Sequence, residues 1–116
     1  MKINQDLALI LKVCNISIKA GKKILEYYYS NNNEIFIKDD ESPLTKADLA
    51  SNKIIIEELK GIDNNIPLLS EETLVDWNKR KEWNAYWLID PLDGTKEFIK
   101  KNDEFTVNIA LIKNNK

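Results

Sequence analysis

The sequence predicts an α+β fold of two layers, two helices packed on a mainly antiparallel sheet, with a site at the strand ends. Three observations predict it. Residues 3–29 and 45–61 each repeat apolar side chains at three- and four-residue spacing, the period of a helix face. Residues 104–112 alternate in twos, the period of a half-buried strand. Between these segments Tyr86-Trp87-Leu88-Ile89 is a continuous apolar run closed by Asp90-Pro91-Leu92-Asp93-Gly94-Thr95, which reads as a buried strand that ends in a turn. A chain of 116 residues is one domain or part of one, long enough for a core and small for a layered α/β enzyme.

In chain order, the first helix carries a stripe of Leu7, Ile10, Leu11, Cys14, Ile18, Gly21, Leu25 and Tyr28, so Cys14 reads as a core thiol. Ser30 to Asn33 ends it as a polar turn, residues 34–38 form a short strand, and residues 39–43 form a charged loop. Thr45 begins the second helix. Thr45 and Asp48 have the spacing of a capping box, a purely structural pattern when taken alone, and Gly61 is placed as the C-cap. After a turn at 61–65, the short strand 66–69 delivers Ser70-Glu71-Glu72 at its end. That glutamate pair, taken alone, is first a solvated charge pair and second a pair of metal ligands. Residues 73–82 are an exposed connection or short helix, with Trp77 and Trp83 as covers over apolar surface. Pro91 is expected to stop strand pairing at Asp90, since it has no N–H to give and restricts the residue before it. A helix begins at Lys96 with Thr95 as its cap, and after a turn at 102–103 comes the alternating strand 104–112.

Composition excludes several chemistries. The net charge of -2 is spread over mixed Lys and Asp/Glu, so no basic footprint supports nucleic-acid binding. No apolar stretch reaches transmembrane length, and a lone cysteine fits a reducing, cytoplasmic setting, with a peripheral place on the inner membrane neither argued for nor against. Histidine is absent, which removes Ser/His/Asp catalysis and His-ligated zinc. The glycines at 21, 61 and 94 form neither a Walker loop nor G-x-G-x-x-G. Chemistry must therefore run on carboxylates, hydroxyls and a metal.

Asp90-Pro91-Leu92-Asp93-Gly94-Thr95 supplies that combination. Two carboxylates three residues apart, with the Leu92 carbonyl between them, can face one hard cation such as Mg²⁺. Gly94 allows a phosphate close to the backbone, and the start of the following helix is an anion site. D-x-x-D-G-T alone fits an inert strand, turn and capped helix equally well. An aspartyl-nucleophile phosphatase of the haloacid-dehalogenase type needs D-x-D-x-T, one residue shorter.

With Asp48 and Glu71/Glu72 added, the sequence resembles the lithium-sensitive, Mg²⁺-dependent superfamily of inositol monophosphatases and fructose-1,6-bisphosphatases. The run YWLIDPLDGTKEFIKKNDEFTVNIALI at 86–112, with SPLTKAD at 42–48 and LLSEE at 68–72, looks most like its bacterial CysQ-type 3'(2'),5'-bisphosphate nucleotidases. The resemblance spans essentially the whole chain. It implies the helix/sheet half of the layered sugar-phosphatase fold, with residues 1–116 as an N-terminal metal-binding domain. The C-terminal domain, which brings a further Asp in a W-D-x-A-like motif, is expected to be absent.

The resemblance also implies roles. Glu71, Asp90 and Asp93 bind metal through carboxylates and Leu92 through its carbonyl, holding two or more Mg²⁺ ions, while Glu72 supports them. Asp48 and Thr95 orient and deprotonate the attacking water, and Gly94 and Thr95 hold the phosphate. The implied reaction converts adenosine 3',5'-bisphosphate to AMP and phosphate. An inositol- or sugar-phosphate phosphatase shares every residue named, and a fragment that binds Mg²⁺ and phosphate without catalysis is the remaining reading. The partner expected is a small phosphorylated metabolite, with self-association open to the unfinished sheet edge at 104–112.

Overall fold

A computed structural model describes residues 2–30, 35–38, 43–73 and 75–114. Residues 31–33 of the expected turn, Glu34 and residues 39–42 of the expected charged loop lie outside the described residues. The elements run α1 (Lys2–Tyr28), β1 (Ile35–Ile37), β2 (Pro43–Thr45), α2 (Lys46–Ile62), β3 (Leu68–Ser70), α3 (Trp77–Arg80), β4 (Ala85–Asp93), α4 (Thr95–Lys100) and β5 (Thr106–Lys113). Helices α1 and α2 lie against one face of a three-stranded sheet of order β3-β4-β5, while β1 and β2 pair apart as an antiparallel ribbon. The main sheet is mixed. Strand β3 runs parallel to β4 and β5 runs antiparallel to it, so the expected antiparallel character belongs to the long β4–β5 pairing.

The core is assembled where the helices meet that face. Ile16 and Ala20 of α1, Ile55 and Leu59 of α2, and Trp87 and Ile89 of β4 are all buried in one cluster. A second cluster joins Ile24 and Tyr28 to Ala47, Leu92 and Phe98, and it lies beneath the turn that follows β4. The isoleucine, leucine and phenylalanine side chains among them contribute about 1.5–3 kcal/mol each on burial.

Several expectations are corrected here. Helix α1 turns Leu9, Val13, Ile16, Ala20 and Ile24 to the core side together with Tyr28, which is buried as expected, while Leu7, Ile10, Leu11, Ile18 and Leu25 of the expected stripe stay exposed. Both series have helical spacing, so periodicity alone could not rank them. Cys14 is accordingly exposed and is no core thiol. Helix α2 runs past Gly61 and ends with Asp63 as C-cap, whose N–H reaches the Leu59 carbonyl. Trp77 is exposed with the Arg80 guanidinium over its ring, whereas Trp83 does pack on Tyr86. Leu88 is exposed, because the described residues cover only one face of β4.

Pro91 does not end β4. The strand continues to Asp93 through an irregularity between Asp90 and Asp93, beyond which Asp93 pairs with Thr106. A missing N–H is tolerated where the ladder is already interrupted. Among the described residues, β5 pairs with β4 alone and its outer edge is open.

Candidate active site

The site is built where β3 and β4 end and α4 begins, around the first turns of α2. Thr45 caps α2. Its hydroxyl accepts from the Asp48 N–H, and the Asp48 carboxylate accepts in return from the Thr45 backbone N–H at 2.9 Å and from its hydroxyl, both at Oδ2. The capping box is therefore present with Asp in the place usually taken by Glu or Gln. Asp48 has a second oxygen. Oδ1 accepts the Thr95 hydroxyl at 2.8 Å, across 47 residues of sequence. A buried carboxylate with both oxygens engaged is held in one orientation, and the capping bonds and the Thr95 contact occupy different oxygens of one group.

Thr95 is the first residue of α4 and not its cap. The cap position belongs to Gly94, at φ +97°, where a Cβ would stand 2.6 Å from the Glu104 carbonyl oxygen. Glycine is required there by the backbone itself, a different reason from access for phosphate. The first helical bond of α4 is Phe98 N–H to the Gly94 carbonyl at 2.8 Å, so the N–H groups of Thr95, Lys96 and Glu97 have no intrahelical acceptor.

Glu71, Asp90, Leu92, Asp93, Gly94 and Thr95 line one cleft of about 390 Å³. The structure thus brings six of the seven sequence-derived candidates to one cavity and sets the seventh, Asp48, behind Thr95. Burial raises the Asp90 carboxyl above its ordinary value, and the negative charges of Asp93 and Glu71 push it further in the same direction. Glu72 is raised too, first by burial, against the opposing pull of Lys38, whose ammonium lies 3.3 Å away. Asp93 is steadied by the Asn108 side-chain amide at 3.2 Å. The donor set is all hard oxygen, the chemistry that Mg²⁺ takes. Among the described residues no three carboxylates already stand as a closed metal cluster, and the Glu71 and Asp93 side chains are exposed.

A model of the inositol monophosphatase family matches residues 6–116. The chain belongs to the inositol monophosphatase family. Among curated relatives of this family member, 3'(2'),5'-bisphosphate nucleotidase CysQ of Salmonella typhimurium is 49% identical over 106 residues, covering 90% of this chain and 43% of the relative. The CysQ of Escherichia coli K12 is 46% identical over the same share of each. Among solved structures, CysQ from Bacteroides thetaiotaomicron superposes with a TM-score of 0.75 at 44% identity, over 92% of this chain and 38% of that one. The extragenic suppressor protein SuhB from Bartonella henselae gives 0.82 at 27% identity, over 94% and 42%. This inositol monophosphatase-family chain spans about two fifths of the length of the curated relatives it matches. The family is Mg²⁺-dependent in general. No described helix is long and apolar enough to cross a membrane.

Sequence reasoning missed the polar residues beneath the cleft. Ser51 donates to the Pro91 carbonyl at 2.7 Å, fixing the strand between Asp90 and Leu92. Asn52 joins Ser70 and Thr73, the two ends of the turn that carries Glu71 and Glu72. Their signal was present. Asp48, Ser51 and Asn52 extend the Ile55–Leu59 face of α2 toward its N-terminus, so the inward stripe continues but changes from apolar to polar.

Proposed function

We propose that this chain carries the metal and phosphate machinery of a Mg²⁺-dependent phosphomonoesterase that removes the 3'-phosphate of adenosine 3',5'-bisphosphate, giving AMP and phosphate. The observation that carries the reading is the Thr95–Asp48 hydrogen bond at the edge of a cleft lined by Glu71, Asp90 and Asp93. The nucleotide is favoured over an inositol phosphate because the relatives at 46–49% identity are named for bisphosphate nucleotidase activity. Residues 1–116 then serve as the N-terminal metal-binding domain of such an enzyme, in a cytoplasmic setting. The open edge of β5 supports pairing with a further strand, from a second copy or from another part of a longer chain.

Glu71, Asp90 and Asp93 would hold two or more Mg²⁺ ions through their carboxylates, with the Leu92 carbonyl as a further ligand. Bound there, Mg²⁺ supplies Lewis acidity, lowering the pKa of water and offsetting phosphoryl charge. The protein's own part is proton transfer and orientation. Thr95 has one hydroxyl proton, directed at Asp48 Oδ1, so its lone pairs are left to accept from a water in the cleft. As that water loses its proton to Thr95 Oγ1, the hydroxyl proton passes to Asp48 Oδ1, and no histidine is needed. Thr45 keeps Oδ2 occupied throughout. The free N–H groups at the start of α4 face the phosphate, with Gly94 permitting the turn that aims them.

The test is phosphate release from adenosine 3',5'-bisphosphate with Mg²⁺, against inositol 1-phosphate, for the chain and for Asp90→Asn. Turnover is expected on the nucleotide, lost in Asp90→Asn with the fold intact. Near-normal activity of that variant would remove the metal assignment, and preference for the inositol ester would move the substrate to sugar phosphates. Mg²⁺ binding with silence on both substrates would leave a metal and phosphate site that does not catalyse.

A further inference from the structure

The Glu71–Glu72 turn is closed by two backbone contacts, Thr73 N–H to the Ser70 carbonyl at 3.0 Å and Ser70 N–H to the Thr73 carbonyl at 3.4 Å. Its two ends are also tied to one side chain. The Ser70 hydroxyl donates to Asn52 Oδ1, and Asn52 Nδ2 donates to Thr73 Oγ1 at 3.3 Å. The direction of these bonds follows from the partners. Glu72 N–H already donates to Ser70 Oγ at 3.2 Å, so the serine's own proton must go elsewhere, and Asn52 Oδ1 is the acceptor that receives it. That assignment leaves the amide nitrogen for Thr73 and fixes the orientation of the Asn52 side chain. Asn52 and Ser70 are both buried, so water does not compete for the bond between them, while the Thr73 end of the span is exposed.

We propose that Asn52 is a positioning residue for the metal-binding carboxylates, spanning the Ser70–Thr73 turn from both ends and so setting where Glu71 projects. The inference rests on the proposed metal site and adds to it a part that touches neither metal nor substrate. Its place in the fold explains why one helix can perform the task. Asp48 holds Thr95, Ser51 holds the Pro91 carbonyl and Asn52 holds the Glu71 turn, so three consecutive contacts on one face of α2 set the relative positions of α4, β4 and β3. Only the Asn52 contact reaches the segment bearing Glu71. The Glu71 N–H is meanwhile fixed to the Ile89 carbonyl at 3.1 Å, which ties the turn to β4, while its far end, at Thr73, is held by the backbone bonds to Ser70 and, from α2, by Asn52.

The test is a calorimetric Mg²⁺ titration of the full chain, with amide hydrogen exchange at Glu72 and Thr73 read in parallel without metal. Asn52→Leu keeps the size of the side chain and removes both bonds. It is expected to weaken Mg²⁺ binding about 10–100-fold, the range for a residue that orients metal ligands, and to speed exchange at Glu72 and Thr73. Thr73→Val removes only the exposed half of the span and should move both readouts in the same direction by less, which keeps the proposal testable if Asn52→Leu does not fold. Ile55→Val, one turn along α2 in the core and away from the cleft, controls for loss of stability and should leave Mg²⁺ affinity unchanged. Wild-type Mg²⁺ affinity in Asn52→Leu or, should that variant not fold, in Thr73→Val overturns the proposal while Glu71→Gln still loses binding. Unchanged binding in Glu71→Gln overturns the metal site and this inference with it.

Discussion

Asp48 shows how one residue can be legible as structure and remain silent as chemistry. Its spacing from Thr45 gave the capping box, and the structure confirms that box, but nothing in local sequence states that the other oxygen meets a hydroxyl 47 residues away. That pairing was reached through family resemblance. The geometry now makes it a measurable quantity. Thr95→Val preserves shape and deletes the donor, leaving Asp48 Oδ1 without its partner, and an unsatisfied buried acceptor costs about 1–3 kcal/mol. Urea unfolding should show that loss, and Thr95→Ser should recover most of it. Turnover of the nucleotide, where present, should fall by about 10²–10⁴ in Thr95→Val with little change in KM, the range for a lost proton-transfer group. A stability unchanged in Thr95→Val would mean that the Thr95–Asp48 bond is not made in solution.

Among the elements, those with one dominant pattern were read correctly and those with two competing patterns were not. β5 alternates without ambiguity and was found within two residues of its observed bounds, and α2 was placed to its cap. α1 carries two apolar series at helical spacing, and only the packing of Ile16 and Ala20 against α2 and β4 decides between them. β4 was cut short because a proline was read as a stop, whereas the interruption at 90–93 accommodates it. Two glycines separate by the same logic, Gly94 at the cap of α4 and Gly61 inside α2. Gly94→Ala forces a side chain into a left-handed turn against the Glu104 backbone and should destabilise by roughly 2–4 kcal/mol, above ordinary left-handed strain. Gly61→Ala lies in α2 with nothing within 4 Å of the added methyl, and should stabilise by about 0.5–1 kcal/mol. Opposite signs in urea melts of the two variants check both assignments.

At the scale of the whole molecule, the layered α+β architecture was legible because helix and strand periods are strong signals, and the cleft because its carboxylates fall at element ends. The buried Ser51–Asn52–Ser70 network was not, since its members are ordinary polar residues until three elements converge on them. That convergence leaves the molecule with an electrostatic cost of its own. Asp90 and Glu72 have carboxyls raised by burial and by neighbouring negative charge, so the folded chain holds protons that the unfolded chain has already released. Between the ordinary carboxylate pKa and the raised folded value, more protons are bound folded than unfolded, and stability must fall as pH rises through that window. Chelator-treated protein should therefore be more resistant to urea just below the window than just above it. At the proposed metal site Mg²⁺ should reverse the preference, since it would bind the ionised carboxylates of the folded state, and at a hundredfold excess over Kd it should add about 2.7 kcal/mol above the window. Urea titrations across pH, with chelator and with Mg²⁺, read both effects. A chelated protein that gains stability as pH rises through the window would show that the Asp90 and Glu72 carboxyls are not raised in the folded chain.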